Sequence, residues 1–162
     1  MSQEIERKFI VNDMSFKEKA IAHRIVQGYI CSEDDRVVRV RIYDNTAYLT
    51  IKNATIGFSR DEWEYSIPVE EAESMLRSVC QQPIIEKTRY ELNHEGFKWE
   101  IDCFTGDNDG LIIAEIELPS EETTFPTPPF IGKEVTGDPR YYNACLIKHP
   151  FSEWKNEHLK NL

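Results

Sequence analysis

Charged residues alternate with apolar ones in seven short segments of this 162-residue chain, and this alternation is the strongest constraint on its fold. Residues two apart in a β-strand share a face, so each segment is predicted to be a strand with one charged and one apolar or partly apolar face. For example, Arg39 and Arg41 flank Val40, whose side chain belongs to the opposite face. The alternation therefore predicts a mainly β protein.

Turn-forming residues separate eight predicted strands, which cover residues 3–11, 24–32, 36–43, 46–53, 58–68, 84–93, 97–105 and 111–119. Helices are predicted over residues 15–20, 69–80, 140–147 and 152–159. Prolines between residues 126 and 129 predict an irregular connection before the last two helices. Short loops favour an antiparallel meander, and the residues alone leave a barrel and a sandwich open.

The charges are also sorted by sign. Bases occupy the predicted third, fourth and sixth strands, and acids occupy the fifth, seventh and eighth. For any one strand, a solvated charged face is the simpler interpretation. However, like charges about 4 Å apart repel by roughly 4 kcal/mol at an effective dielectric constant near 20, so converging rows of one sign require counter-ions. The sorting predicts a barrel with a charged interior, where bases bind a polyanion and carboxylates bind a divalent metal.

Composition limits the partners of such a barrel. Nineteen Lys and Arg against 29 Asp and Glu give a net charge of −10, which argues against a general nucleic-acid or anionic-membrane binder. No apolar run reaches the roughly 18 residues of a membrane span, and the first residues lack a signal-peptide pattern. We therefore expect a cytoplasmic protein with a single domain over residues 1–162.

The sequence offers no familiar metal or phosphate motif outside the charged rows. Its four cysteines form no CxxC pair and its four histidines lie far apart, so reduced thiols are expected and a zinc site is unsupported. Gly132-Lys133 lacks both the upstream glycine and the following Ser or Thr of a P-loop. A phosphate site would therefore use side chains rather than a backbone cradle.

Several motifs follow one another in an order that is typical of one family. Residues 4–8 read EIERK, an ExExK pattern that is weak evidence alone because charged pentapeptides are common. It is followed by RVR at 39–41, YLTIK at 48–52, EWEY at 62–65, KTRY at 87–90, WEID at 99–102, AEIEL at 114–118, GKEVT at 132–136 and DPRY at 138–141. In this combination the sequence resembles the CYTH superfamily of triphosphate tunnel metalloenzymes over about the whole chain.

The resemblance implies an eight-stranded antiparallel β-barrel tunnel with a few flanking helices and a C-terminal helical segment. It implies phosphate binding by Lys8, Arg39, Arg41, Lys52, Lys87 and Arg89, with Lys133 and Arg140 as further candidates. It implies one or two Mg²⁺ or Mn²⁺ ions held by Glu4, Glu6, Glu62, Glu64, Asp102, Glu115 and Glu117. Glu100 has the right face but is equally compatible with a structural role.

The expected activity follows from the same resemblance. Short bacterial-type members are commonly inorganic triphosphatases, so we expect metal-assisted phosphoryl transfer from triphosphate to water. The residues expected to be catalytic are Glu4, Glu6, Lys8, Lys52, Lys87 and Tyr29. Tyr29 resembles a tyrosine that neighbours a tunnel lysine in some members, although a core tyrosine fits the pattern as well.

Other functions remain open at this point. Thiamine triphosphatase, nucleoside triphosphatase and class IV adenylate cyclase are related activities, and product identity would distinguish them. A polyphosphate- or nucleotide-binding module without turnover is a second class, although both acids and bases are present. A structural barrel with solvated charged faces is the third. A homodimer is open as well, because dimers occur among relatives.

Overall fold

The computed structural model describes residues 2–57 and 59–160, and side chains from Ile5 onward. This part contains nine strands: β1 Ser2–Val11, β2 Ile21–Glu33, β3 Arg36–Tyr43, β4 Thr46–Asn53, β5 Ser59–Ile67, β6 Ile85–His94, β7 Phe97–Phe104, β8 Ile112–Glu117 and β9 Ile131–Glu134. Its α-helices are α1 Val69–Ser78, α2 Asn143–Lys148 and α3 Phe151–Lys160. Short 3₁₀ turns occupy Ser15–Glu18, Gly106–Asn108 and Pro139–Tyr141. The predicted start of the fifth strand, at residue 58, lies outside the described residues.

The first eight strands close into an antiparallel barrel. Neighbouring strands follow the order β5-β4-β3-β2-β6-β7-β8-β1, and β1 pairs back onto β5. The closing pair aligns Ser2 with Glu62, while the other edge of β1 aligns Glu6 with Glu117. The predicted eight-stranded antiparallel barrel is confirmed, and closure removes free sheet edges.

The structure adds a ninth strand in a segment whose sequence predicts none. Strand β9 pairs with the end of β1, aligning Phe9 with Glu134 and Val11 with Ile131. It continues along the edge of β1 that pairs with β5 over residues 2–5. A strand of four residues after several prolines carries too little alternation to be recognised. The helix predicted over 140–147 is likewise divided, into a 3₁₀ turn and the later helix α2.

The apolar face of each strand lies on the outside of the barrel under other chain segments. Trp99, Ala114 and Ile116 on β7 and β8 are fully buried in a cluster that also contains Phe16 from the first 3₁₀ turn. On the opposite side, helix α1 covers β3 and β4. The charged faces therefore point inward, the reverse of an ordinary amphipathic sheet.

One end of the barrel interior is apolar and closed. Ile10, Ile85, Phe104 and Ile113 lie one strand period beyond the charged residues of their own strands. They form one buried cluster with residues of the C-terminal segment, here defined as residues 139–160, namely Tyr141, Leu146, Ile147, Phe151 and Trp154. We call this end the closed end of the tunnel.

The C-terminal segment gives a testable dependence of stability on pH. His158 is buried, and its Nδ1 lies 3.0 Å from the hydroxyl of Tyr141. Burial lowers the pKa of His158, and the Arg140 charge lowers it further. As the pH falls through the ordinary histidine pKa of about 6.5, the unfolded chain therefore takes up the proton before the folded chain does. Folding stability should decrease in that window.

The matched comparison is His158→Asn against His94→Asn, a histidine on β6 outside this cluster. Urea unfolding at about pH 7.5 and about pH 5.5 brackets the titration of an ordinary histidine. We expect wild type and His94→Asn to lose more stability on acidification than His158→Asn. An equal loss in all three proteins would contradict the assignment.

Candidate active site

The bases predicted to line the tunnel lie on its inner face. Five of them are buried, with exposed fractions between 1% and 8%: Lys8, Arg39, Lys52, Lys87 and Arg89. Arg41 is partly buried between them on β3. Long charged side chains are almost never buried unless they are paired. The interpretation of these rows as solvated faces of a structural barrel is therefore wrong.

Asp102 joins two of these bases in a fully buried ion-pair group. Its Oδ1 accepts a hydrogen bond of 2.8 Å from Arg89 Nε, and its Oδ2 accepts one of 3.0 Å from Arg89 Nη2. The same Oδ2 lies 2.7 Å from Lys87 Nζ. Burial alone would raise the pKa of Asp102, but the charges of Arg89 and Lys87 hold it well below its usual range. Asp102 is therefore ionised and fixes both bases.

The two lysines of the inner face differ in their electrostatics. Burial lowers the pKa of Lys87 to about 7, with Asp102 opposing the shift and Arg89 and Arg41 adding to it. Burial acts in the same direction on Lys8, but the charges of Glu115 and Glu6 outweigh it and raise the pKa of Lys8. Lys8 Nζ donates a hydrogen bond of 2.8 Å to Glu115. Lys8 is thus a fixed cation, whereas Lys87 is close to neutrality.

The arginines on β3 form a crowded positive group. Arg39 Nη2 donates to Thr50 Oγ1 at 3.3 Å, and its buried Nε has no hydrogen-bond partner among the described residues. Arg41 Nε donates to Gln27 at 2.9 Å. Burial, together with Arg39 and Arg89, lowers the pKa of Arg41 to about 9. A guanidinium shifted this far by burial and neighbouring cations, beside a buried unpaired donor, fits an anion with several oxygens.

Acidic side chains adjoin one another on the opposite wall. Glu6 on β1 is directly across from Glu117 on β8, and Glu100 is directly across from Glu115. Like charges in directly opposed positions are unfavourable unless a cation lies near them. This donor chemistry fits a hard divalent cation. Among the residues whose side chains are described, no three His, Cys, Asp or Glu converge as a complete metal shell.

Several predicted site residues lie apart from this group. Lys133 is exposed on β9. Arg140 binds Asp138 and Glu157, with a 2.7 Å contact from its Nη2 to Asp138. The side chain of Glu4 lies outside the described residues. The roles assigned to all three stay predictions.

Other residues at the site were missed or left undecided by sequence reasoning. Tyr29 is buried, and its hydroxyl accepts a hydrogen bond of 3.0 Å from Gln27. Gln27 thereby links Tyr29 to Arg41, while Thr50 accepts from Arg39 and donates to Glu64 at 3.1 Å. Both polar residues share a strand face with predicted site residues, and this was the available signal. Asn143, which contacts Lys87, carries no such signal.

A family model described as the CYTH domain matches residues 2–142. The chain belongs to the CYTH family. The tunnel and its two charged walls are thus this CYTH domain's inner surface, and residues 143–162 lie beyond the matched part. The prediction of one domain over the whole chain is not tested by this match.

Two curated relatives carry the same name. The chain is 50% identical to an inorganic triphosphatase of Acetivibrio thermocellus over 155 residues, which cover 96% of this chain and 99% of that protein. It is 36% identical to an inorganic triphosphatase of Nitrosomonas europaea over 148 residues, covering 88% of this chain and 95% of the relative. Among solved structures, the crystal structure of the inorganic triphosphatase NE1496 matches with a TM-score of 0.66 and 34% identity, covering 91% of this chain and 95% of that one.

Proposed function

We propose that this CYTH domain hydrolyses inorganic triphosphate to pyrophosphate and phosphate in its tunnel, with a divalent metal ion. The observation that carries the proposal is the crowding of Arg39, Arg41 and Arg89 on the inner wall, with the buried Nε of Arg39 unpaired among the described residues. A short polyanion matches this group in charge and in hydrogen-bonding capacity. The names of the two curated relatives agree with this substrate.

The basic wall would bind and orient the phosphates. Arginine forks can bind two oxygens of one phosphoryl group, and lysines add point charges. In phosphoryl transfer, catalysis comes mainly from positioning and from stabilising the charge that develops on the leaving oxygen. We therefore assign both tasks to the six bases named from the resemblance: Lys8, Arg39, Arg41, Lys52, Lys87 and Arg89. Tyr29 would act indirectly, since its hydroxyl contacts Gln27 and Gln27 holds Arg41.

The acidic wall would hold one or two Mg²⁺ or Mn²⁺ ions through Glu6, Glu117, Glu62 and Glu64, with Glu4 as a further predicted ligand. When bound, such an ion supplies charge neutralisation on phosphate oxygens and polarises water. Asp102 and Glu115, also predicted as ligands, each form an ion pair with a base of the opposite wall. Their metal role stays a prediction, and we assign them the positioning of Lys87, Arg89 and Lys8.

The cellular setting follows from weaker observations. The cysteines at positions 31, 80, 103 and 145 are free thiols, which agrees with the cytoplasm as the proposed location. Within residues 2–57 and 59–160, no helix has the length and apolarity needed to cross a membrane. A homodimer stays a prediction without a structural test.

Product identification with a panel of substrates tests the proposed function. The purified protein is incubated with inorganic triphosphate, ATP or thiamine triphosphate in the presence of Mg²⁺ or Mn²⁺. We expect inorganic triphosphate to be turned over most efficiently, giving pyrophosphate and phosphate. Cyclic AMP from ATP would assign the chain to the cyclase branch, and preferred turnover of thiamine triphosphate would assign it to that activity. Saturable triphosphate binding without turnover would establish a binding module.

A further inference from the structure

Lys87 is the most buried base of the tunnel, and its ammonium group has two partners from different parts of the chain. Its Nζ lies 2.7 Å from Asp102 Oδ2 on the neighbouring strand. It also donates a hydrogen bond of 2.8 Å to Asn143 Oδ1 on the C-terminal segment. An ammonium group has three donors, so two directions of Lys87 are fixed by protein oxygens.

Asn143 is itself held firmly in place. It is the first residue of α2, and Leu146 and Ile147 of that helix are buried in the closed-end cluster. The preceding residue, Tyr142, places its ring 5.3 Å from Lys8 Nζ. The C-terminal segment therefore closes the tunnel and also contacts two of its phosphate-binding candidates.

We propose that Asn143 is a positioning residue for triphosphate hydrolysis, which holds the Lys87 ammonium jointly with Asp102 so that its third N–H serves the substrate. The inference rests on the proposed function. A lysine side chain has a flexible stem and loses considerable rotamer freedom when it is fixed, so a second anchor prepares it before substrate arrives. Without Asn143, Lys87 would retain Asp102 as its fixed partner and its buried ammonium would lack one acceptor.

Two substitutions separate the orientation of Lys87 from the charge around it. Asn143→Leu removes the acceptor at similar volume, and we expect kcat for triphosphate to fall about 10- to 100-fold, as for one charge-assisted hydrogen bond. Asn143→Asp retains an acceptor oxygen but adds a negative charge near the phosphates. It should keep kcat within a few-fold of wild type and raise KM about tenfold or more.

The control addresses damage to the C-terminal segment. Leu146→Ala removes a buried side chain of the same helix that does not contact Lys87, so it should lower the melting temperature while kcat at low temperature stays close to wild type. Wild-type kcat in Asn143→Leu, or an equal loss of kcat in Leu146→Ala, would overturn the proposal.

A spectroscopic measurement keeps the inference testable if wild type releases no phosphate from triphosphate, a result that would refute the proposed function. In nitrogen-15-labelled protein at about pH 6, where most lysines are charged, a doubly anchored Lys87 ammonium should give a slowly exchanging proton signal. We expect this signal in wild type and Leu146→Ala and its loss in Asn143→Leu. Its persistence in Asn143→Leu would overturn the anchoring role.

Discussion

Replacing Arg39 by methionine is expected to reduce kcat/KM for inorganic triphosphate by about 100- to 1,000-fold, as when a pre-oriented donor is removed from a transition state. The same change should leave the melting temperature of the ligand-free protein unchanged or raised. Arg39 lies beside Arg41 and lowers its pKa, so removing one charge relieves repulsion between them. Methionine keeps an unbranched stem of similar length to pack on the barrel wall.

Arg36 provides the matched control on the same strand. It is largely exposed and pairs with Asp35, so Arg36→Met should leave both kcat/KM and the melting temperature close to wild type. Steady-state kinetics and thermal unfolding of the three proteins give the result. If Arg39→Met kept wild-type kcat/KM, or if both variants lost activity equally, the phosphate-binding role of Arg39 would be refuted.

The second large effect is expected from Asp102→Asn, which removes one negative charge from a buried group at constant volume. Lys87 and Arg89 would then lie together without their shared carboxylate. Breaking a buried ion pair from one side costs about 3–5 kcal/mol, and we expect a loss of that size in the free energy of unfolding. Urea unfolding without added ligand measures it.

A double variant distinguishes this cause from general damage to the barrel. Asp102→Asn combined with Lys87→Met removes a positive charge as well, and should recover part of the lost stability. Glu86→Gln is the control, because Glu86 forms an exposed pair with Arg24 that contributes about 0–1 kcal/mol. A stability of Asp102→Asn within the range of Glu86→Gln would contradict the buried-group interpretation.

Much of the fold is predictable from the sequence because alternation is a strong signal over eight long strands. The same alternation assigns Arg39 and Lys87 to the charged faces of their strands. It does not decide the direction of those faces, since a charged row toward water and one toward a tunnel have the same period. The burial of Lys87 under the C-terminal segment settles this point for the bases.

Other features arise from tertiary contacts that have no local signature. Strand β9 is recognised by its pairing with the end of β1 rather than by its four residues. Asn143 contacts a lysine 56 positions away and sits in a helix whose sequence gives no hint of a site. Ion pairing of Asp102 likewise depends on the β6–β7 register, which aligns Arg89 with Asp102.

Phosphate release from inorganic triphosphate tests the central claim most directly. Purified wild-type protein should release one phosphate per triphosphate in the presence of Mg²⁺ or Mn²⁺. A chelator should stop the reaction, and added metal should restore it. No release under these conditions, or release that continues unchanged after chelation, would contradict a metal-dependent triphosphatase in this tunnel.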